Sequence, residues 1–211
     1  MNAFRFSFQL LTCLTLFLFS LLLWASPSPA WQGMEIALPA KEKASLIYRF
    51  EHSNPQYLAL VKRSAKNVKV RLAKKNDPMG GNFTTTNIDD KGTTFEVVLQ
   101  RSNFAGGNLL GIHLQYHEFG HVIVNSWATE QTYERLFSYW SASSLWQSCY
   151  PQSSDAIDPC VSLDEIAADQ FAFWAGSKKA TRSSYNLPPL GTAAKMTKIL
   201  KEDGLIARSR H

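Results

Sequence analysis

Charge is almost missing from the start of this chain. Across the first thirty residues Arg5 is the only charged side chain, and "LLTCLTLFLFSLLLW" from Leu10 to Trp24 is a nearly unbroken apolar run. A lone cation before an apolar core is the layout of a secretory signal. Ser28 and Ala30 in "SPSPA" suit the small-residue positions before a cleavage point, which leaves Trp31 as the new N-terminus; a cut after Ala25 is the alternative. Left uncleaved, a run of roughly 17 apolar residues is just long enough for a single membrane anchor. Cys13 lies inside the apolar core rather than after it, which argues against lipid attachment. The expectation is a signal over residues 1–30 and one exported domain over 31–211, periplasmic or extracellular, with no membrane contact after cleavage.

Cysteine is scarce too. Of three in the chain, one departs with the signal, and Cys149 and Cys160 remain, eleven positions apart in a polar loop. Without a CxxC spacing they are poor metal ligands, and in an oxidising compartment a disulfide is the expected outcome. Closing so short a loop stabilises a fold by about 2 to 3 kcal/mol in the chain-entropy account. Basic runs are also lacking: "KK" at 74–75 and at 178–179 are short pairs without interleaved aromatics, so a net charge of +5 does not point to nucleic acid. There is no internal repeat. With 211 residues, 45% of them hydrophobic and 18% charged, the chain has the composition of one globular domain with a real core. Oligomeric state is left open.

The mature part changes pattern along its length. "SLIYRFEH", residues 45–52, has strand-like density of aromatic and aliphatic residues, and "NPQYLALVKRSAKN" then offers Asn54 as N-cap with Pro55 in the first helical turn. "VKVRLAK" from Val68 and "TTFEVVLQR" from Thr93 alternate with period two, and "NDPMGGNF" between them is turn chemistry. These predict a small antiparallel sheet. After Gly106 and Gly107, "NLLGIHLQYHEFGHVIVNSW" places Leu110, Leu114, Ile123 and Trp127 at helical spacing, which predicts one long, mostly buried helix. Further helices are expected over "TYERLFSYW", over "SLDEIAADQFAFWAG" between Ser162 and Gly176, and over "TAAKMTKILKED" up to Gly204.

Histidine is the third scarcity: there are five, and two of them fall in "YHEFGH", residues 116–121. Residues four apart on a helix are rotated by only about 40°, so His117 and His121 present both imidazoles on one face at the spacing one metal ion needs. Glu118 then stands beside that ion rather than on it. Metal-assisted hydrolysis needs this set: histidine nitrogens hold zinc, and a nearby carboxylate takes a proton from the zinc-bound water. Chance spacing is the plain alternative.

A catalytic zinc takes three protein ligands and keeps one position open. His113 lies one turn upstream on the same face, but three ligands in a row on a straight helix cannot close around one ion; it is expected to pack or to point toward the start of the helix. His52 precedes the sheet and His211 is terminal. "SLDEIAADQFAFW" is the better source. Glu165 and Asp169 share one helical face there, and Ala168 and Ala172 are small enough to let two helices approach closely. Glu165 can ligate the metal while Asp169 accepts the free ring N–H of a metal-binding histidine and so fixes its tautomer. A competing explanation for Glu165 is a capping box with Ser162. That explanation leaves Asp169 unexplained, since a carboxylate buried among "IAADQFAFW" is costly without a partner.

"HEFGH" followed by "EIAAD" resembles the gluzincin class of zinc metallopeptidases, whose pattern is HExxH with ExxxD on a second helix. The order of elements over most of residues 45–176, with the "GGNF" turn, "YHEFGHVIV" and "DEIAADQFA", is similar to a group of exported bacterial metallopeptidase-like proteins; only the two motifs are specific. The resemblance implies an α+β fold, a small antiparallel sheet packed on a helical zincin core. It implies one zinc ion held by His117, His121 and Glu165, Glu118 as general base, Asp169 as outer partner, and a peptide or protein substrate. It further implies an edge strand that holds the substrate extended, for which "TFEVVLQ", residues 94–100, is the expected segment. The larger gluzincins also place a histidine or tyrosine beyond the motifs to stabilise the oxyanion. Here only His211 follows His121, and Tyr133, Tyr150 and Tyr185 are the tyrosine candidates.

Two other readings compete with a secreted zinc peptidase. One is a non-catalytic binding or inhibitory module that keeps zinc for stability. The other takes Glu118 and His121 as half of a di-iron helical bundle, which needs a second Glu-x-x-His on another helix. The sequence has none, and its strands do not suit a bundle.

Overall fold

The structure, a computed structural model, describes residues 31, 33–77, 81–90, 92–127, 129, 131–132, 135, 163–176 and 193–206. The chain divides into two units, Met1–Gln32 and Gly33–His211, and all the elements below belong to the second. In chain order they are β1 (Glu35–Ala37), α1 (Ala40–Glu51), α2 (Pro55–Ser64), β2 (Val68–Leu72), β3 (Phe83–Asp89), β4 (Gly92–Leu99), α3 (Leu109–Trp127), α4 (Leu163–Ala175) and α5 (Ala193–Glu202). The fold is α+β. The segment from Leu10 to Trp24, the helix expected over 132–140, the cysteine pair and Ser162 lie largely or wholly outside the described residues. Among those described, no helix is long and apolar enough to cross a membrane.

The strand expected over residues 45–52 is instead the second half of α1. Its two buried side chains, Leu46 and Phe50, are four apart, while Tyr48 between them is exposed. That is helical spacing, and the helix-forming run "AKEKA" just upstream carries the same helix into it. α2 starts as its sequence dictates: Asn54 Oδ1 accepts from Gln56 N–H at 2.9 Å with Pro55 behind it. The Asn54 N–H also donates to the Ala175 carbonyl at 2.9 Å, which ties this turn to the end of α4.

The sheet has the order β1-β2-β4-β3. Contrary to the antiparallel expectation, β1 pairs with β2 and β2 with β4 in parallel, and only β3 and β4 run antiparallel. The cause is β3 itself. "FTTTNID" has no apolar alternation and is largely exposed, so nothing in its pattern marks a strand; yet it carries the chain back, so that β4 can run alongside β2. Its hairpin closes with Asp89 opposite Gly92, where a φ of 116° suits glycine. As a result the segment 94–100 is not an edge. β4 is paired on both sides, and β3 is the outer strand next to it.

α3 is the long helix its sequence predicts, with one difference. Leu110 is half exposed, and the buried surface of the helix is unusually polar: His113, Gln115, His117, Glu118 and His121 are all inside. Asn108 Oδ1 accepts from Gly111 N–H at 2.9 Å and so supports the first turn. One side of the helix rests on an aromatic cluster, where Phe50 meets Phe119 edge-on at 4.7 Å and the Tyr57 hydroxyl donates to the Tyr116 carbonyl at 2.9 Å. The other side packs on α4. A Cβ at Gly120 would stand 2.6 Å from the Ala168 carbonyl oxygen, so the two backbones meet where both side chains are minimal.

Candidate metal centre

α3 and α4 run antiparallel and mesh as a ladder with a period of four residues. His121 and His117 face Glu165, His117 and His113 face Asp169, and His113 lies on the Phe173 ring at 5.1 Å. Each step of four up one helix meets a step of four down the other. The i, i+4 spacing on both chains therefore stacks the charged groups in a single seam.

At one end of the seam three side chains converge, two through a ring nitrogen and Glu165 through both carboxylate oxygens. His117 Nε2 lies 3.1 Å from His121 Nε2 and 3.0 Å from Glu165 Oε2, and His121 Nε2 lies 3.4 Å from Glu165 Oε1. The tautomer of His117 is set from its other side, where Nδ1 is 2.9 Å from Asp169 Oδ1. An ionised carboxylate only accepts, so Nδ1 carries a proton, and in the neutral ring that a metal ion would bind Nε2 offers the lone pair. Two imidazole lone pairs and a carboxylate aimed at one point repel unless a cation sits between them. Ligands at about 2.0–2.1 Å around a tetrahedral ion stand roughly 3.3 Å apart, close to the separation of the two imidazole nitrogens and of each nitrogen from one of the two Glu165 oxygens. His117, His121 and Glu165 can hold a metal ion.

The titration behaviour tells the same story. Burial opposes the His117 imidazolium, but hydrogen bonds to Asp169 and Glu165 outweigh it and push its pKa up to about 9. Burial likewise raises Glu165 and Asp169, and their histidine partners overcome it. Glu165 ends well below the usual carboxylate range and Asp169 falls to about 2. The seam is built around positive charge, which a proton on His117 or a metal ion between the ligands can supply.

Glu118 is buried but is not one of the converging ligands. Burial raises its pKa, against the pull of His117, His121 and a hydrogen bond from Thr84. The Thr84 hydroxyl stands 2.9 Å from both Glu118 Oε2 and the Glu118 carbonyl oxygen. Thr84 belongs to β3, so the carboxylate is tethered to the outer strand of the sheet.

Glu165 turns toward the two histidines rather than along its own helix, while Ser162 of the alternative capping box lies outside the described residues. His52 is apart from the seam, stacked on Tyr48 at 4.0 Å. His113 is the residue that sequence reasoning placed least well. It packs as expected, but it is 1% exposed and its Nε2 lies 2.9 Å from Asp169 Oδ1, the same oxygen that His117 uses. His113, His117 and Asp169 thus form a second group whose donor atoms could hold an ion. Two N–H donors on one carboxylate oxygen account for that group without one. The signal was available: "EIAADQFAF" repeats the four-residue step of "HLQYHEFGH".

Family models, curated proteins and solved structures offer no match to the chain.

Proposed function

We propose that the protein is a zinc-dependent peptidase of the gluzincin type, acting on peptide or protein substrates. The observation that carries this reading is the convergence of His117 Nε2, His121 Nε2 and the Glu165 carboxylate within 3.0–3.4 Å of one another, with the buried Glu118 carboxylate adjacent in sequence and outside that set. Two nitrogens and one carboxylate suit zinc, which His117, His121 and Glu165 would hold. Bound there, zinc would supply Lewis acidity that polarises a carbonyl and makes water more acidic, toward about pH 7.

The chain's own residues do the rest. Glu118, held by Thr84, takes a proton from the attacking water and returns it to the departing amine. Asp169 keeps His117 in the Nδ1–H tautomer. The substrate lies extended along β3, whose outer side is unpaired among the described strands and whose Thr84 reaches Glu118. This moves the substrate strand from residues 94–100 to 83–89. The leader-like segment before Trp31 supports action after export, in the periplasm or outside the cell.

A second reading, a zinc-stabilised binding module without hydrolysis, has one observation in its favour. The described tyrosines near α3 are engaged elsewhere: Tyr57 donates to the Tyr116 carbonyl and Tyr116 to the Arg49 carbonyl. Tyr133, Tyr150 and Tyr185 lie outside the described residues. Hydrolysis of a diverse peptide library by zinc-loaded wild type and by Glu118→Gln separates the two. Cleavage that disappears in Glu118→Gln at equal zinc content is expected; no cleavage by either protein, or equal cleavage by both, refutes the peptidase.

A further inference from the structure

We propose that His113 is a positioning residue for the metal centre: its Nε2–H shares Asp169 Oδ1 with the Nδ1–H of His117, fixing the carboxylate that aims His117 at the metal. The inference rests on the reading of His117, His121 and Glu165 as ligands, and it assigns a role to the histidine that does not touch the ion.

The side chain of Asp169 is almost fully buried, and the hydrogen bonds from His113 and His117 both fall on one oxygen, while Oδ2 is buried with no partner among the described residues. A carboxylate held only by His117 at Oδ1 is free to turn about its last torsion and exchange its two oxygens. A second donor from a different direction removes that freedom. His113 supplies it from one turn below His117, and its own ring is held by the Phe173 face at 5.1 Å. Every member of the relay is buried, so water cannot replace a missing donor cheaply.

The geometry also dictates the tautomer. Asp169 accepts only, so His113 carries a proton on Nε2 whereas His117 carries one on Nδ1. Two histidines one turn apart on the same helix thus take opposite tautomers around one oxygen atom. A ligand role for His113 would require a lone pair where the structure needs a donor.

The test is zinc affinity of the full chain, measured by competition with a chromophoric chelator. His113→Phe keeps the bulk and loses the donor; it is expected to weaken zinc binding about tenfold, the lower end of the range for outer partners of metal histidines. His113→Gln places an amide N–H near the position of Nε2 and is expected to stay within about threefold of wild type. Equal affinity in His113→Phe and wild type overturns the proposal, and so does a His113→Gln protein as weak as His113→Phe, which marks a role in packing alone. Should His113→Phe fail to fold, histidine nitrogen NMR on the zinc-loaded wild type decides: Nε2–H at His113 and Nδ1–H at His117 are expected, and Nδ1–H at His113 overturns the relay. Two zinc ions per chain also overturn it, because His113 would then be a ligand. A wild type that binds no zinc is a different failure, that of the metal centre itself.

Discussion

Gly120 lies against Ala168 so closely that a Cβ on the glycine would come within 2.6 Å of the alanine carbonyl oxygen and 2.8 Å of its Cα. This contact, between the two histidines of "HEFGH" and beside the helix that bears Glu165, sets how near the ligands can come. In an ordinary exposed helix, glycine to alanine adds stability, by about 1 kcal/mol. Here the sign reverses. Gly120→Ala is expected to destabilise by about 1 to 3 kcal/mol through overpacking, and to weaken zinc binding as the helices part. Urea unfolding together with chelator competition checks both, and a variant more stable than wild type would contradict the packing described.

Thr84 joins the outer strand to Glu118, the general base of the proposed reaction. Thr84→Val removes the hydroxyl at nearly constant shape, and a lost hydrogen bond of about 1 kcal/mol corresponds to roughly a fivefold fall in kcat. Zinc content should not change, because Thr84 does not touch the ligands, and Thr84→Ser should restore the rate. A Thr84→Val protein with full kcat would show that Glu118 is oriented without it.

The metal-free protein should lose stability as the solution becomes alkaline. The His117 pKa is about 9 in the folded chain against an ordinary 6.5, so its stabilisation is fully present below pH 6.5 and is lost as pH rises through about 9. A metal ion at the ligands takes over the part of that proton, so the zinc-loaded chain should not show the same decline. Melting temperatures of both forms across this interval test the sign. A metal-free protein whose Tm stays level would contradict the assignment of positive charge to the seam.

Much of this architecture is written in local pattern. The Asn54–Pro55 start of α2, the single long α3 and the stop of α4 at Gly176 follow from caps and periodicity, and Gly176 has the φ of 110° that such a stop favours. The facing of His117 and His121 toward Glu165, and of His117 toward Asp169, follows from i, i+4 spacing on two helices. What local pattern could not supply was direction and pairing. β3 is a polar, threonine-rich outer strand, invisible to a search for alternating apolar residues, and without it β2 and β4 look like partners in a hairpin. Taken alone, "SLIYRFEH" has the composition of a strand; only with the preceding "AKEKA" segment does it show as the continuation of α1. His113 needed the register between two helices, a tertiary fact. Once the period of four is seen on both, Asp169 and Phe173 are its natural neighbours.

The central claim is that Glu165 completes a metal site with His117 and His121. Its most direct test is the zinc content of the purified full chain, wild type against Glu165→Ala, after dialysis with a weak chelator. One zinc ion per wild-type chain and a substoichiometric amount in Glu165→Ala is the result the proposed zinc site predicts. A Glu165→Ala protein that keeps a full equivalent at wild-type affinity, or a wild type that holds none, would contradict it.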